Sequence, residues 1–220
     1  MMSRRIAGVD EAGRGPVIGP MVIAGVVIDE NKLDALVEWG VRDSKQLTPR
    51  QRENLDQIIR KVALQIEVLE ISPKEIDTQR LKNKSLNTLE AQWMAQILQR
   101  LRWDVAYVDA ADVNAGRYGR FIQAQLSSKS PIVSEHGADA TYPIVGAASI
   151  VAKVRRDQEI VKLHKSFGDF GSGYPNDPKT LRFLKEWLTG NDDFPEIVRH
   201  TWETASKILA THRQKILGNK

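Results

Sequence analysis

The chain of 220 residues contains no cysteine and no apolar stretch long enough to cross a membrane. The absence of cysteine excludes disulfides, zinc–thiolate sites and a cysteine nucleophile, and it suits a reducing compartment. The longest apolar run, Met21–Ile28, falls far short of the roughly 20 residues that a membrane helix needs. Asp10 and Glu11 interrupt any signal-peptide core too early. We therefore expect a cytoplasmic protein with no membrane partner.

Two common phosphate-binding patterns are also missing. The dinucleotide fingerprint requires a third glycine where Ile18 stands, and the Gly-Lys-Ser/Thr of a phosphate loop does not occur. The net charge of +4 is compatible with a polyanionic partner but does not require one. Any nucleic acid or nucleotide must therefore be held in another way.

The stretch from Ile6 to Ile28 organises the rest of the chain. An apolar run leads into Asp10 and Glu11, the glycine-rich turn 13–15 follows, and a second apolar run comes after it. This pattern predicts two strands joined by a turn, with acid where the first strand ends. Two adjacent carboxylates at the edge of a buried sheet repel each other and lose hydration, so a cation is expected near them. A hairpin whose turn is acidic without any function explains this stretch equally well when it is taken alone.

Strands and helices alternate along the remaining chain, which predicts an α/β fold. Apolar periodicity predicts strands at Gln65–Ile71, Asp104–Asp109 and Pro131–Ser134. The predicted helices are 49–62 with Thr48 as its cap, one opening at Ser72-Pro73, 87–102, 116–126, 143–165, 179–188 and 198–217, the last with Arg199 among its polar positions. We expect a catalytic domain over residues 1–178 and a helical segment over 179–220 packed on it.

Four carboxylates are placed to bind metal. Asp109 ends a predicted strand as Asp10 does, and Asp139 stands just before the helix that opens at Pro143. Glu11 completes the set, and none of the four has histidine or cysteine nearby at a zinc-ligand spacing. Oxygen ligands favour Mg²⁺ or Mn²⁺, and two such ions can activate a water and stabilise the leaving oxygen of a phosphodiester. The predicted chemistry is phosphodiester hydrolysis.

Six motifs together resemble those of ribonuclease HII, the type 2 ribonuclease H, in its archaeal form. In chain order they are Asp10-Glu11-Ala12-Gly13-Arg14-Gly15, Asp43-Ser44-Lys45, Tyr107-Val108-Asp109, Ala138-Asp139, Ala147–Lys153 with Arg156-Asp157, and Gly171–Pro175 with Asp177-Pro178. The resemblance implies a ribonuclease H-like fold, with a mixed five-stranded sheet flanked by helices and a helical C-terminal segment. It also implies hydrolysis of the RNA strand of RNA/DNA hybrids, and cleavage 5′ to ribonucleotides embedded in duplex DNA that leaves 3′-hydroxyl and 5′-phosphate ends.

The same resemblance assigns roles to individual residues. Asp10, Glu11, Asp109 and Asp139 correspond to the catalytic, metal-binding carboxylates. Gly13, Arg14 and Gly15 correspond to the turn that reads the ribose 2′-hydroxyl, and Tyr174 to the tyrosine that packs on the following sugar. Lys45, Ser149 and Lys153 correspond to polar residues near the phosphates. Purely structural roles stay open for Tyr174, which can brace its loop, and for Ser149, which can bond within its helix.

Two features depart from the pattern. Archaeal relatives usually carry a lysine where Gly137 stands, which affects a peripheral contact and leaves Asp139 intact. Gln214 and Leu217 have the spacing of a sliding-clamp peptide, but no aromatic pair follows them, so we predict no clamp binding. The resemblance alone implies a monomer. A DNA-directed nuclease of the same fold, such as a junction resolvase, and a non-catalytic hybrid-binding protein are the alternatives.

Overall fold

The computed structural model describes residues 3–41 and 47–218, with side chains through residue 215. The strands are β1 (Arg5–Ala12), β2 (Met21–Asp29), β3 (Gln65–Ile71), β4 (Val105–Asp109) and β5 (Ile132–Glu135). The helices are α1 (Leu33–Glu38), α2 (Pro49–Val62), α3 (Pro73–Arg80), α4 (Leu86–Arg100), α5 (Ala115–Gln123), α6 (Ala138–Thr141), α7 (Pro143–Phe167), α8 (Pro178–Trp187) and α9 (Glu203–Gly218), and a 3₁₀ turn spans Glu30–Lys32.

The strands form one mixed sheet in the order β3-β2-β1-β4-β5. β1 pairs with β2 antiparallel, whereas β1 with β4 and β4 with β5 are parallel. The predicted mixed five-stranded sheet is confirmed. Its order puts β1 and β4, the two strands that carry Asp10 and Asp109, side by side and pointing the same way.

Side-chain caps fix where several helices begin. Thr48 accepts a hydrogen bond from the backbone N–H of Gln51, whose side chain bonds back to the Thr48 N–H, and Pro49 occupies the first turn of α2. Ser72 caps α3 in the same manner. Because each cap satisfies N–H groups that the helix itself leaves unbonded, these starts could be predicted from local sequence. Both predictions are confirmed.

The chain forms two compact units that interleave in sequence. The first comprises residues 1–12, 22–70 and 85–155, and the second comprises 13–21, 71–84 and 156–220. Each has its own apolar core: the first is built around β1, β2 and the buried face of α7, and the second around Phe170, Leu184 and Val198. The predicted boundary at residue 178 falls inside the second unit, so the extent of a separate catalytic domain stays a prediction.

In the first unit, Gly8 in the middle of β1 permits α7 to approach closely. A Cβ atom at this position would lie closer than 3.0 Å to the Ile144 carbonyl and 2.7 Å from the Val145 nitrogen. Since these are backbone atoms of the first turn of α7, no side-chain rotation relieves the contact. The glycine therefore determines how near this helix lies to the strand that carries Asp10.

The prediction that the last helix starts at Val198 is wrong. The helix begins at Glu203, and the preceding residues of the second unit form turns on either side of one isolated bridge residue. Val198 makes an antiparallel bridge with Ile18, and the Arg199 N–H donates to the Val17 carbonyl at 2.8 Å. Hydrogen bonds to the segment 17–18 take the place of helical ones at Val198 and Arg199, and the residues from His200 to Trp202 form a turn that leads into the helix.

Candidate active site

The ends of β1 and β4 bring two of the predicted carboxylates together. Val9 is the register partner of Val108 in this parallel pair, so the next residues, Asp10 and Asp109, are neighbours across the strands. Asp10 is 4% exposed, and its Oδ1 accepts the Glu11 backbone N–H at 2.7 Å. The carboxyl ends of parallel strands are where α/β proteins place ligand-binding side chains. Sequence reasoning predicted this juxtaposition.

Burial and two neighbouring carboxylates disfavour the ionised form of Asp10. Burial raises the pKa of Asp10 well above its ordinary value, and the negative charges of Glu11 and Asp109 raise it further. A hydrogen bond from Ser149 and the Glu11 N–H partly oppose this rise by stabilising the carboxylate. Three neighbouring carboxylates disfavour one another's ionised form, and a bound cation relieves this repulsion. The assignment of these carboxylates as metal ligands stays a prediction.

Asp139 adjoins this group through the backbone. The Ala138 N–H donates to Asp109 Oδ1 at 2.8 Å, and Asp139 follows in the first turn of α6, 4% exposed. Gly137, at the start of this helix, has a φ of +64°. Because a left-handed backbone costs a non-glycine residue about 1–2 kcal/mol, this loop conformation favours glycine at position 137.

The donor set fits a hard divalent cation. Asp10, Glu11 and Asp109 offer carboxylate oxygens, and the chain has no cysteine thiolate to offer a metal. Across residues 3–41 and 47–218, no three acidic or histidine side chains are already gathered around one metal position. Mg²⁺ does not need such a cage, since it is commonly held by one or two carboxylates together with waters and substrate phosphate oxygens. The residues present are therefore suited to an ion that arrives with, or is completed by, a phosphodiester.

Helix α7 supplies the polar residues predicted near the acids. Ser149 is fully buried and hydrogen-bonded to the Asp10 side chain, so the interpretation that it bonds within its helix is not needed. Lys153 lies one turn further along the same helix and is partly exposed. Asp43, Ser44 and Lys45 lie outside the described residues, and their proposed contact with phosphate stays a prediction.

In the second unit, the turn Gly13–Gly15 is held by two side chains from the segment before α9. Arg199 Nη2 donates to the Gly13 carbonyl at 2.6 Å, and Nη1 donates to the Arg14 carbonyl at 3.0 Å. Trp202 Nε1 donates to the Gly15 carbonyl at 3.2 Å. All three carbonyls of the turn are thus bonded to the same segment, which fixes the backbone of the turn.

Tyr174 lies beside this turn in the same unit. Its ring is 40% exposed, and a Cβ added at Gly15 would lie 3.4 Å from the ring. The Arg156 side chain is buried, and its guanidinium lies 5.5 Å from the Tyr174 ring centroid. This cation–π arrangement supports the ring. An exposed aromatic face beside a backbone without side chains suits stacking or packing against a sugar or base.

The loop that carries Tyr174 is rigidly bonded. Asp177 accepts the N–H and hydroxyl of Ser172, both at 2.7 Å, and the N–H of Lys179. These bonds, those from Ser172 first, lower the pKa of Asp177 to about 2. Thr180 bridges the Gly173 N–H and the Phe170 carbonyl. The loop is therefore structured, as the sequence predicted.

Sequence reasoning missed Arg199 and Trp202 as the residues that hold the turn 13–15. It placed Arg199 on the polar face of a helix, whereas the side chain is fully buried and precedes the helix. Thr201 gave no usable capping signal, because its hydroxyl donates to Asp77 and does not cap the helix that begins at Glu203. Nothing in the local pattern indicates that the guanidinium reaches a turn some 185 residues earlier.

Comparison with known proteins finds relatives over nearly the whole chain. The sequence pattern of the Ribonuclease HII family matches residues 7–205. The chain is 50% identical to ribonuclease HII of Pyrococcus furiosus over 96% of its own length and 94% of that protein's. It superposes on the crystal structure of ribonuclease H2 from Pyrococcus horikoshii with a TM-score of 0.90 at 50% identity, covering 96% of this chain and 99% of that one.

The ribonuclease HII in a PCNA:RNase HII complex from Archaeoglobus fulgidus is also similar, with a TM-score of 0.84 at 44% identity over 92% of this chain and 96% of that one. The fold is that of the ribonuclease H-like nucleases. The chain belongs to the ribonuclease HII family. It is accordingly a ribonuclease H, a hydrolase that acts on RNA/DNA hybrids. Within the part of the chain that the structure describes, no helix is long and apolar enough to cross a membrane.

Proposed function

We propose that the protein cuts duplex nucleic acid on the 5′ side of a ribonucleotide, both in RNA/DNA hybrids and where a single ribonucleotide is embedded in DNA. The observation that carries this proposal is the grouping of Asp10, Glu11 and Asp109, with Asp139 adjoining through Ala138, in a chain whose glycine turn follows Glu11 after one residue. Family membership supports the general reaction, and the residues supply the details.

The acids act through the metal that they bind. Ribonucleases H depend on divalent metal ions, and Asp10, Glu11, Asp109 and Asp139 would hold Mg²⁺ or Mn²⁺ here. Such an ion, when bound, supplies an activated water and stabilises negative charge on the leaving oxygen. Ser149 holds the Asp10 carboxylate by a hydrogen bond and so orients it toward the phosphodiester.

Hydrolysis by water determines the product ends. Water adds to phosphorus, the bond to the 3′ oxygen of the preceding nucleotide breaks, and that oxygen leaves as a hydroxyl with one proton of the water. The 5′-phosphate stays on the ribonucleotide. Attack by the ribose 2′-hydroxyl would instead cut on the 3′ side and leave a cyclic phosphate, so the ends distinguish the two chemistries.

Recognition of the ribonucleotide is assigned to Gly13, Arg14, Gly15 and Tyr174. The 2′-hydroxyl is the group that distinguishes RNA from DNA at a given nucleotide. The bonded backbone of the turn and the exposed ring of Tyr174 beside Gly15 offer donors and a packing surface at fixed positions. Lys45 and Lys153 are proposed to contact phosphates. The expectations of a monomer, of cytoplasmic location and of no sliding-clamp peptide stay predictions, and the clamp complex is a property of the Archaeoglobus relative.

A cleavage assay on three matched duplexes tests the proposal. Wild-type protein in Mg²⁺ and in Mn²⁺ is expected to cut the RNA/DNA hybrid and the duplex with one ribonucleotide, and to leave all-DNA duplex intact. Mapping of both labelled ends should place the cut 5′ to the ribonucleotide with a 3′-hydroxyl. Equal cutting of all-DNA duplex would favour the DNA-directed alternative, and the absence of metal-dependent cleavage would favour the non-catalytic one.

A further inference from the structure

We infer that Arg199 is a positioning residue for ribonucleotide recognition, because its guanidinium fixes two peptide planes of the turn so that the N–H groups of Arg14 and Gly15 face the substrate. The inference deepens the proposed function and rests on the role of the turn in reading the ribose. Arg199 itself touches the turn and not the nucleic acid.

The Arg199 guanidinium donates hydrogen bonds to three backbone carbonyls. Nη2 and Nη1 donate to the consecutive carbonyls of Gly13 and Arg14, and Nε donates to the Gly19 carbonyl at 3.0 Å. A planar guanidinium offers these donors in one rigid arrangement, which a lysine ammonium cannot reproduce. One side chain therefore joins both ends of the segment 13–19.

These contacts also determine the direction of two backbone N–H groups, because each peptide unit is planar. The peptide bonds of the turn are trans, so each carbonyl oxygen lies opposite the N–H of the next residue across a nearly flat unit. With the Gly13 oxygen bonded to Arg199, the Arg14 N–H points away from Arg199. The Arg14 oxygen is also bonded to Arg199, so the Gly15 N–H points away from Arg199 as well. Gly15 is exposed. The N–H groups of Arg14 and Gly15 therefore both point to the side of the turn opposite Arg199.

The third carbonyl of the turn provides an internal contrast. Trp202 holds the Gly15 oxygen, but the following residue is Pro16, which has no N–H. Fixing that peptide plane orients no donor. Arg199 and Trp202 both stabilise the turn, and the bonds of Arg199 also set the direction of hydrogen-bond donors.

The surroundings hold the Arg199 side chain in one place. It is fully buried, and its guanidinium lies 4.7 Å from the Trp202 ring centroid. Asp77 accepts the N–H groups of His200 and Thr201 at 2.7 and 3.1 Å, which anchors the backbone next to Arg199. Burial lowers the pKa of Arg199 to about 9, so the group stays protonated at neutral pH. Movement of this buried cation would leave both its charge and three carbonyls without hydrogen bonds, so the arrangement is rigid.

The test compares Arg199→Met, Arg199→Lys and the matched control Trp202→Phe on two duplexes. One duplex carries a single ribonucleotide, and the other carries a 2′-deoxy-2′-fluoro nucleotide at the same position. Steady-state kcat and KM are measured in Mg²⁺ at a temperature at which thermal unfolding shows each variant to be folded, and binding to the ribonucleotide duplex without divalent metal is measured by fluorescence anisotropy.

Arg199→Met is expected to lower kcat on the ribonucleotide duplex by about 10- to 100-fold, because the binding groups lose their alignment. KM and metal-free binding should change less. The loss on the fluoro duplex should be smaller, so the ratio of the two kcat/KM values falls. Arg199→Lys should be intermediate. Trp202→Phe should lower the melting temperature yet keep this ratio at the wild-type value.

Three outcomes would overturn the inference. These are a folded Arg199→Met with the wild-type ratio, an Arg199→Lys with full activity, and a Trp202→Phe that loses as much discrimination as Arg199→Met. Failure of the proposed function looks different, because the wild-type protein itself would then not cut the single-ribonucleotide duplex.

Discussion

Two glycines of one turn should respond to alanine in opposite ways. Gly13 has a φ of +82°, and a Cβ atom there would lie 2.8 Å from the Pro20 carbonyl oxygen and 2.5 Å from the Arg156 side chain. Gly15 has an ordinary φ, and its Cβ atom would lie 3.4 Å from the Tyr174 ring, which is tolerable contact. Gly13→Ala therefore strains the fold, whereas Gly15→Ala adds a methyl group to the surface proposed to meet the ribose.

The magnitudes follow from these distances. For Gly13→Ala, the left-handed backbone costs about 1–2 kcal/mol, and crowding against the Pro20 carbonyl adds about 1–3 kcal/mol. The Arg156 tip can move aside, but the carbonyl belongs to the backbone and cannot. Since 1 kcal/mol shifts the melting temperature of a chain of this length by about 2–4 °C, the expected decrease is roughly 4–20 °C. Gly15→Ala should shift it by less than about 2 °C, because it is neither strained nor buried.

Thermal unfolding and kcat/KM on the single-ribonucleotide duplex, measured side by side, check this pair. Gly15→Ala should lower kcat/KM at least about tenfold, since a misplaced substrate loses alignment with the reacting groups. A Gly13→Ala protein that melts within 2 °C of wild type would show that the turn is not constrained as described. A Gly15→Ala protein with wild-type kcat/KM would refute the placement of substrate against Gly15.

Three further outcomes are expected. Asp10→Asn should abolish cleavage. Fluorescence anisotropy should show nearly unchanged binding of the hybrid, because phosphate contacts supply most of the affinity. Near-normal turnover would contradict the assignment of the site. Mg²⁺ should raise the melting temperature of the wild type more than that of Asp10→Asn, since the ion is proposed to bind the carboxylates of the folded state. Equal shifts would count against these carboxylates as ligands. Gly8→Ala should destabilise the protein by about 1–3 kcal/mol or more in chemical denaturation, as its Cβ meets the backbone of α7, and an unchanged midpoint would argue against that close approach.

The loop around Tyr174 predicts a pH dependence of stability. The folded pKa of Asp177, about 2, lies below the usual value near 3.9, so its carboxylate stabilises the fold above that usual value and the contribution is lost as the pH falls towards 2. The melting temperature of wild type should exceed that of Asp177→Asn by a constant amount above about pH 5, and the two should converge near pH 2. Parallel curves over this range would show that the bonds to Ser172 do not depend on the charge.

Local sequence was sufficient to predict most of the sheet and helices. The strand Gln65–Ile71 and the starts of α2 and α3 at Thr48-Pro49 and Ser72-Pro73 were predicted to the residue, because alternation and capping are short-range signals. The neighbouring positions of Asp10 and Asp109 were also predictable, since parallel strands end at the same edge of a sheet. The burial of Asp10 and its bond to Ser149 needed the tertiary structure, because nothing near either residue in sequence indicates that α7 covers that strand end.

Arg199 shows why the remainder was out of reach of sequence patterns. A charged residue within an apolar spacing is normally assigned to the solvent face of a helix, because burial of an unpaired cation costs several kcal/mol. Here that cost is offset by three carbonyl acceptors from Gly13, Arg14 and Gly19, which themselves would be costly to bury unbonded. The turn and the arginine each require the other, although about 185 residues separate them. A glycine-rich turn that binds a substrate through its N–H groups leaves its carbonyls facing inward, so a buried donor beneath it should be sought wherever such a turn is found.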